Sequence, residues 1–95
     1  MTKKKRKQQE LLDYRVNALH ELEHRLDKVI AEYNLNVFRR QDLIIQLAQT
    51  DDDTIDYDEI KRHIRALDAR IYTCQEKIRD LTIELAEKRQ EVYNH

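Results

Sequence analysis

Not one of the chain's 95 residues is Gly or Pro, and no other feature limits its fold as tightly. Hairpin turns, phosphate-cradling loops and strand-rich sandwiches rely on Gly or Pro for backbone angles that other residues avoid. A chain without either can run in long helices, because helices need no positive φ and are broken by Pro. The remaining composition agrees. Charged residues reach 39%, apolar residues 40% and aromatics only 6%, a mixture typical of long helices and coiled coils. One domain is expected at this length.

The apolar residues recur in heptads. From Leu12 onward, Leu12, Leu19, Leu26, Tyr33, Arg40 and Leu47 occupy d positions, and Val16, Glu23, Ile30, Val37 and Ile44 occupy a positions. A second frame follows: Tyr57, Ile64, Ile71, Ile78, Leu85 and Val92 at a, with Ile60, Leu67, Cys74, Leu81 and Lys88 at d. Each frame continues for about five heptads without a stutter, which is the signature of a coiled-coil seam. The first helix is broader than the second, since Leu22, Val29 and Leu43 also fill g positions beside its seam. The second has His63, Arg70, Lys77, Glu84 and Glu91 there.

Between the frames lies Gln49-Thr50-Asp51-Asp52-Asp53-Thr54, a run of weak helix formers whose side chains compete for backbone groups. Thr54 or Asp53 is placed to cap the second helix, and Asp56 and Glu59 have capping-box spacing. A short connection makes neighbouring helices antiparallel. The expected fold is therefore all-α: a long antiparallel two-helix hairpin, with helix 1 about 8–49, an acidic loop about 50–54 and helix 2 about 55–93, preceded by a basic tail at 1–7. With both frames taken as they stand, Leu19 faces Leu85, Leu26 faces Ile78, Ile30 faces Cys74 and Glu23 faces Leu81. Tyr33-Asn34-Leu35-Asn36 is the one stretch where helix 1 could break, but the heptad phase carries through it. The extra apolar row of helix 1 calls for a further partner, and pairing of two hairpins into a four-helix bundle, hence a homodimer, is the expectation.

Several function classes are excluded or made remote. No apolar run approaches the ~20 residues needed to span a bilayer, so no membrane partner is expected. Lys3, Lys4, Lys5, Arg6 and Lys7 are not followed by the apolar stretch of a secretory signal. The single Cys74 cannot form an internal disulfide and occupies an apolar position. An intracellular, reducing compartment is expected, cytoplasmic by default and nuclear if the source is eukaryotic or viral, since Lys3–Lys7 also reads as an import signal. The acidic cluster fails the calcium-loop pattern: counted from Asp51, the sixth position holds Asp56 instead of Gly and the twelfth holds Arg62 instead of Glu.

His20-Glu21-Leu22-Glu23-His24 matches the H-E-x-x-H spacing of zinc peptidases, and Asp80 and Glu84 would lie roughly opposite, but a rod offers no substrate cleft. Arg15 and His20 have the R-x4-H spacing of HEPN-type ribonucleases, without the additional helices that surround that pair. His20 to Ile30 is similar to the H-box of histidine kinase dimerisation domains, which are also helical hairpins that pair into four-helix bundles. That resemblance implies phosphotransfer through His20; Arg25 stands where the H-box has Pro. No nucleophilic triad or Gly-rich loop can be assembled, so no enzyme, cofactor or metal is expected.

What remains is an interaction protein: adaptor, inhibitor or assembly subunit. Its candidate anchors for a protein partner are Leu22, Val29, Phe38, Leu43 and Ile45. Its acidic tip, Asp51, Asp52, Asp53, Asp56, Asp58 and Glu59, is a candidate for a basic partner. The alternative is a nucleic-acid accessory protein in which Lys3, Lys4, Lys5, Arg6 and Lys7 neutralise phosphates. Residues 1–7 hold five basic residues and no acid, leaving 13 basic against 19 acidic in the body; that net-acidic body, without a basic stripe, argues against a dedicated nucleic-acid reader.

Overall fold

The computed structural model describes residues 3–94, with side chains from 5 to 94. Two helices account for nearly all of it: α1, Lys3–Ala48, and α2, Ile55–Tyr93. They pack antiparallel along their length into a rod of 77 × 17 × 14 Å. The radius of gyration, 21.7 Å, is well above the ~12 Å of a compact domain of this size. The expected helical hairpin is therefore the observed fold.

Helix α1 starts at Lys3, so the basic run expected as a separate tail forms its first turns. This also makes the rod longer than the ~60 Å of a pair of ~40-residue helices at 1.5 Å per residue, because α1 extends past the end of α2. Residues 5–14 are all exposed, including Leu11 at 50% and Tyr14 at 72%. An unpacked overhang of this length is marginal as a helix on its own. Through Tyr33-Asn34-Leu35-Asn36 the helix is unbroken.

The connection uses Thr54 as N-cap of α2. Its backbone is extended at φ −100°, ψ 158°, and Oγ1 accepts a hydrogen bond from the Tyr57 amide at 3.2 Å. The same hydroxyl donates to the Asp51 carbonyl at 2.7 Å, so one side chain closes the loop and starts the helix. Asp56 and Asp58 fall in the first turn, where carboxylates complement the positive end of the helix dipole. The capping box does not form, because the third helical position is Tyr57 and carries no carboxylate to reach back.

The seam of α2 follows the heptad frame without deviation: every buried or half-buried residue from Tyr57 to Val92 lies at an expected a or d position. Helix α1 differs. Its d row is inward as expected, but its second inward row is the g row, with Leu22 buried, Val29 and Leu43 half-buried and Asn36 buried at 7% exposure. The expected a row lies toward the flank, with Val16, Glu23 and Val37 half-buried and Ile30 and Ile44 37% and 40% exposed. Leu19, Leu22 and Leu85 form the buried cluster, with Leu26, Leu81 and Val92 packed against it. Leu19 does meet Leu85, but Leu22 joins them and Glu23 does not enter the seam.

The physical reason is the cost of burying a charge. With the a row inside, the Glu23 carboxylate would be desolvated against Leu81, and a lone buried charge is far more costly than a neutral amide. With the g row inside, Glu23 sits at the edge, 3.8 Å from the Arg89 guanidinium. The g row instead brings Asn36 into the seam and leaves Arg15 half-buried toward its end. Arg40 also stays at the edge, where its Nε donates to an Asp68 carboxylate oxygen.

Candidate functional site

The rotation of α1 sorts the five candidate anchors into two groups. Leu22 is buried and Val29 and Leu43 are half-buried on the side of α1 that packs against α2. They are apolar because they form the seam. Phe38 and Ile45 remain at the surface, 69% and 57% exposed. Beside them lie Ile30 and Ile44, residues expected in the seam and now released from it.

These residues make one continuous face. On a helix of 3.6 residues per turn, the a, e and b rows are adjacent. Between residues 30 and 48 the a row holds Ile30, Val37 and Ile44, and the b row holds Ala31, Phe38 and Ile45. The e row between them holds Asn34, Gln41 and Ala48. None of these nine positions is charged, in a chain that is 39% charged. The stripe is centred about 120° around α1 from the α2 seam. It begins abruptly: one heptad earlier the same rows carry Glu23, His24 and Asp27.

Other exposed apolar side chains are Leu11, Leu12 and Tyr14, grouped on the α1 overhang, Leu35 on α1, and single residues of α2. Ile83 is 54% exposed on the back of α2, and Ile55 and Tyr93 lie at that helix's two ends. Single exposures of this kind are ordinary. Tyr72, 63% exposed, donates its hydroxyl hydrogen to Glu76 Oε1 at 3.0 Å. That hydrogen bond and the adjacent negative charge, with a smaller effect of desolvation, raise the phenol above its ordinary value of 10.0.

The remaining candidates are distributed as follows. Lys5, Arg6 and Lys7 are exposed on the first turns of α1, while the side chains of Lys3 and Lys4 lie outside the described residues. Asp51, Asp52, Asp53, Asp56, Asp58 and Glu59 are all exposed around the connection. His20, Glu21 and His24 are exposed; among the described residues no three His, Cys, Asp or Glu side chains gather where they could hold a metal ion. Cys74 is a buried free thiol in the seam, its Sγ 3.9 Å from Glu32 Oε2. The grooves between the helices are open channels edged by charge; one, lined by Leu43 and Leu67 at its floor, is rimmed by Arg39, Asp42, His63 and Arg70. Among the described residues, no helix is long and apolar enough to cross a membrane.

Comparison of this chain with protein-family models, with curated proteins and with solved structures finds no match in any of the three. The functional reading therefore rests on the chain's own surface.

Proposed function

We propose that this chain is a non-enzymatic protein-interaction module, serving as an adaptor, inhibitor or assembly subunit, that docks helix against helix through the face of α1 between residues 30 and 48. The observation that carries the proposal is the uncharged stripe bearing Ile30, Phe38, Ile44 and Ile45, four large apolar side chains left 37–69% exposed. Contiguous apolar surface on a polar rod is costly in water and marks interaction sites. A face with anchors at helical spacing is suited to a partner helix. A reducing, intracellular setting belongs to the same proposal, because the one thiol is kept unpaired inside the seam.

A photo-reactive side chain at position 38, compared with the same group at position 83, tests this in native extract. The reading expects a discrete cross-linked product from position 38 and little from position 83. Equal labelling from both, or none from position 38, would contradict it.

A second reading has an observation of its own. The first turn of α1 contains no acidic residue, and its basic residues sit at the positive end of the helix dipole, where cations destabilise a helix. An anionic partner such as a nucleic-acid backbone would offset that penalty. Retention of the chain on duplex DNA at ~50 mM salt, lost by ~200 mM and abolished by deleting residues 1–7, is the expected behaviour. No retention at the lower salt would remove this reading.

A further inference from the structure

We infer that the occupant of the α1 face is a second copy of this chain, bound antiparallel about a two-fold axis that passes between Val37 and Phe38. This rests on the reading of that face as a docking surface and names its partner. An isologous interface must be complementary to itself, residue i meeting j while j meets i. The stripe has that property. Reversed about the midpoint of Val37 and Phe38, Ile30 falls on Ile45, Ala31 on Ile44, and Asn34 on Gln41. Between residues 30 and 45 apolar positions thus meet apolar positions and the two amide side chains meet each other in the row between them, while Ala48 beyond falls on Asp27.

Charge supports the same occupant and the same direction. A surface that meets its own copy sets like charges together wherever it carries them on the axis or at positions symmetric about it. Here it is neutral throughout the stripe. Antiparallel pairing also puts the two basic starts of α1 at opposite ends of the assembly, about 100 Å apart at 1.5 Å per residue. Parallel pairing would bring both runs of five basic residues, Lys3 to Lys7, side by side. In the antiparallel arrangement, the acidic connection of one copy at Asp51–Asp53 comes level with Leu22, Glu23 and His24 of the other.

The α2 helices do not obstruct this approach, because they pack on α1 about 120° away. The result is four helices with the two α1 segments in the middle. A stripe of 19 residues is ~27 Å long and roughly 10 Å wide, which places the interface at the small, weak end of specific associations. Micromolar rather than nanomolar affinity is expected.

The test uses the purified full chain carrying Cys74→Ser. Sedimentation of the chain at ~100 μM should show a dimer that Phe38→Asp converts to monomer without loss of helical signal, while Ile83→Asp leaves it dimeric. Asn34→Cys and Gln41→Cys variants are then oxidised separately and as a mixture. The mixture should form a cross-linked dimer ~10-fold faster than either alone, because a disulfide closes only where the two Cβ atoms lie ~4 Å apart. A monomer at that concentration, a dimer unaffected by Phe38→Asp, or Asn34→Cys pairing with itself as fast as the mixture would overturn the inference. Position-38 photo-cross-linking separates the two levels of the argument. A product with a different protein would retain the docking surface and reject the second copy, whereas no product would reject both.

Discussion

The two helices of this rod have similar composition but differ in how far their sequence determines their orientation. Helix α2 has one narrow apolar stripe, flanked at its g positions by His63, Arg70, Lys77, Glu84 and Glu91, and its inward face is the one its heptads indicate. Helix α1 has a common d row with an apolar row on either side of it: Val16, Ile30, Val37 and Ile44 on one, Leu22, Val29 and Leu43 on the other. Only one of those rows can join the d row against α2. A narrow stripe sets its own phase, whereas a broad one leaves the phase to the energetics of the pair and leaves the other row for a partner.

The comparison can be broken first in the shared core. Leu85→Ala removes a side chain only 4% exposed, in contact with Leu19 and Leu22, and should cost about 3 kcal/mol in urea or thermal unfolding. Ile83→Ala, two residues away and 54% exposed, should stay within about 0.5 kcal/mol. Equal effects would mean that α2 has no preferred face.

Adjacent positions on α1 sharpen the contrast. Leu43 is half-buried in the observed seam, while Ile44 is 40% exposed on its flank. At protein concentrations low enough to keep the chain monomeric, Leu43→Ala should destabilise by about 2 kcal/mol and Ile44→Ala by less than half of that. The reverse order would restore the a row to the seam.

Much of the fold was legible without coordinates. The absence of Gly and Pro, the two heptad runs and the Thr54 cap led to the right elements and to the inward face of α2. The rotation of α1 about its own axis was not legible, because hydrophobicity alone favours the a row, with four apolar residues against three in the g row. The deciding quantities were electrostatic and involved residues on both helices: the penalty of enclosing Glu23, relieved at the edge by Arg89, against the smaller penalty of enclosing Asn36. The site was half legible for the same reason. Phe38 and Ile45 stood out as apolar residues off the seam in either phase, but Ile30 and Ile44 become surface residues only after the rotation. Leu22, Val29 and Leu43 leave the surface by the same movement.

Two smaller effects probe the ends of the comparison. Thr54→Ala removes the oxygen that accepts from the Tyr57 amide and should cost about 1 kcal/mol, measurable as a lowered urea midpoint with unchanged slope. The loss should fall on the start of α2, which that hydroxyl caps. The smallest effect is Tyr72→Phe. The phenol is raised by Glu76, so the folded state holds that proton more tightly than the unfolded chain. Its slight contribution is therefore complete below the ordinary tyrosine range and disappears as pH rises through the elevated folded value. Ultraviolet titration should lose its latest-ionising component in Tyr72→Phe, with helicity unchanged at neutral pH; an unaltered curve would deny the Glu76 contact.

The central claim is the phase of α1 against α2, and a pair of internal disulfides measures it most directly. In a Cys74→Ser background, Leu22→Cys with Leu85→Cys should oxidise readily to an intramolecular bridge with the helical signal retained, because those positions share the buried cluster. Glu23→Cys with Leu81→Cys, the layer that the uninterrupted heptads indicate, should remain reduced under the same conditions. Closure of the second pair in preference to the first would contradict the rotation of α1, and with it the exposed face on which the docking surface is built.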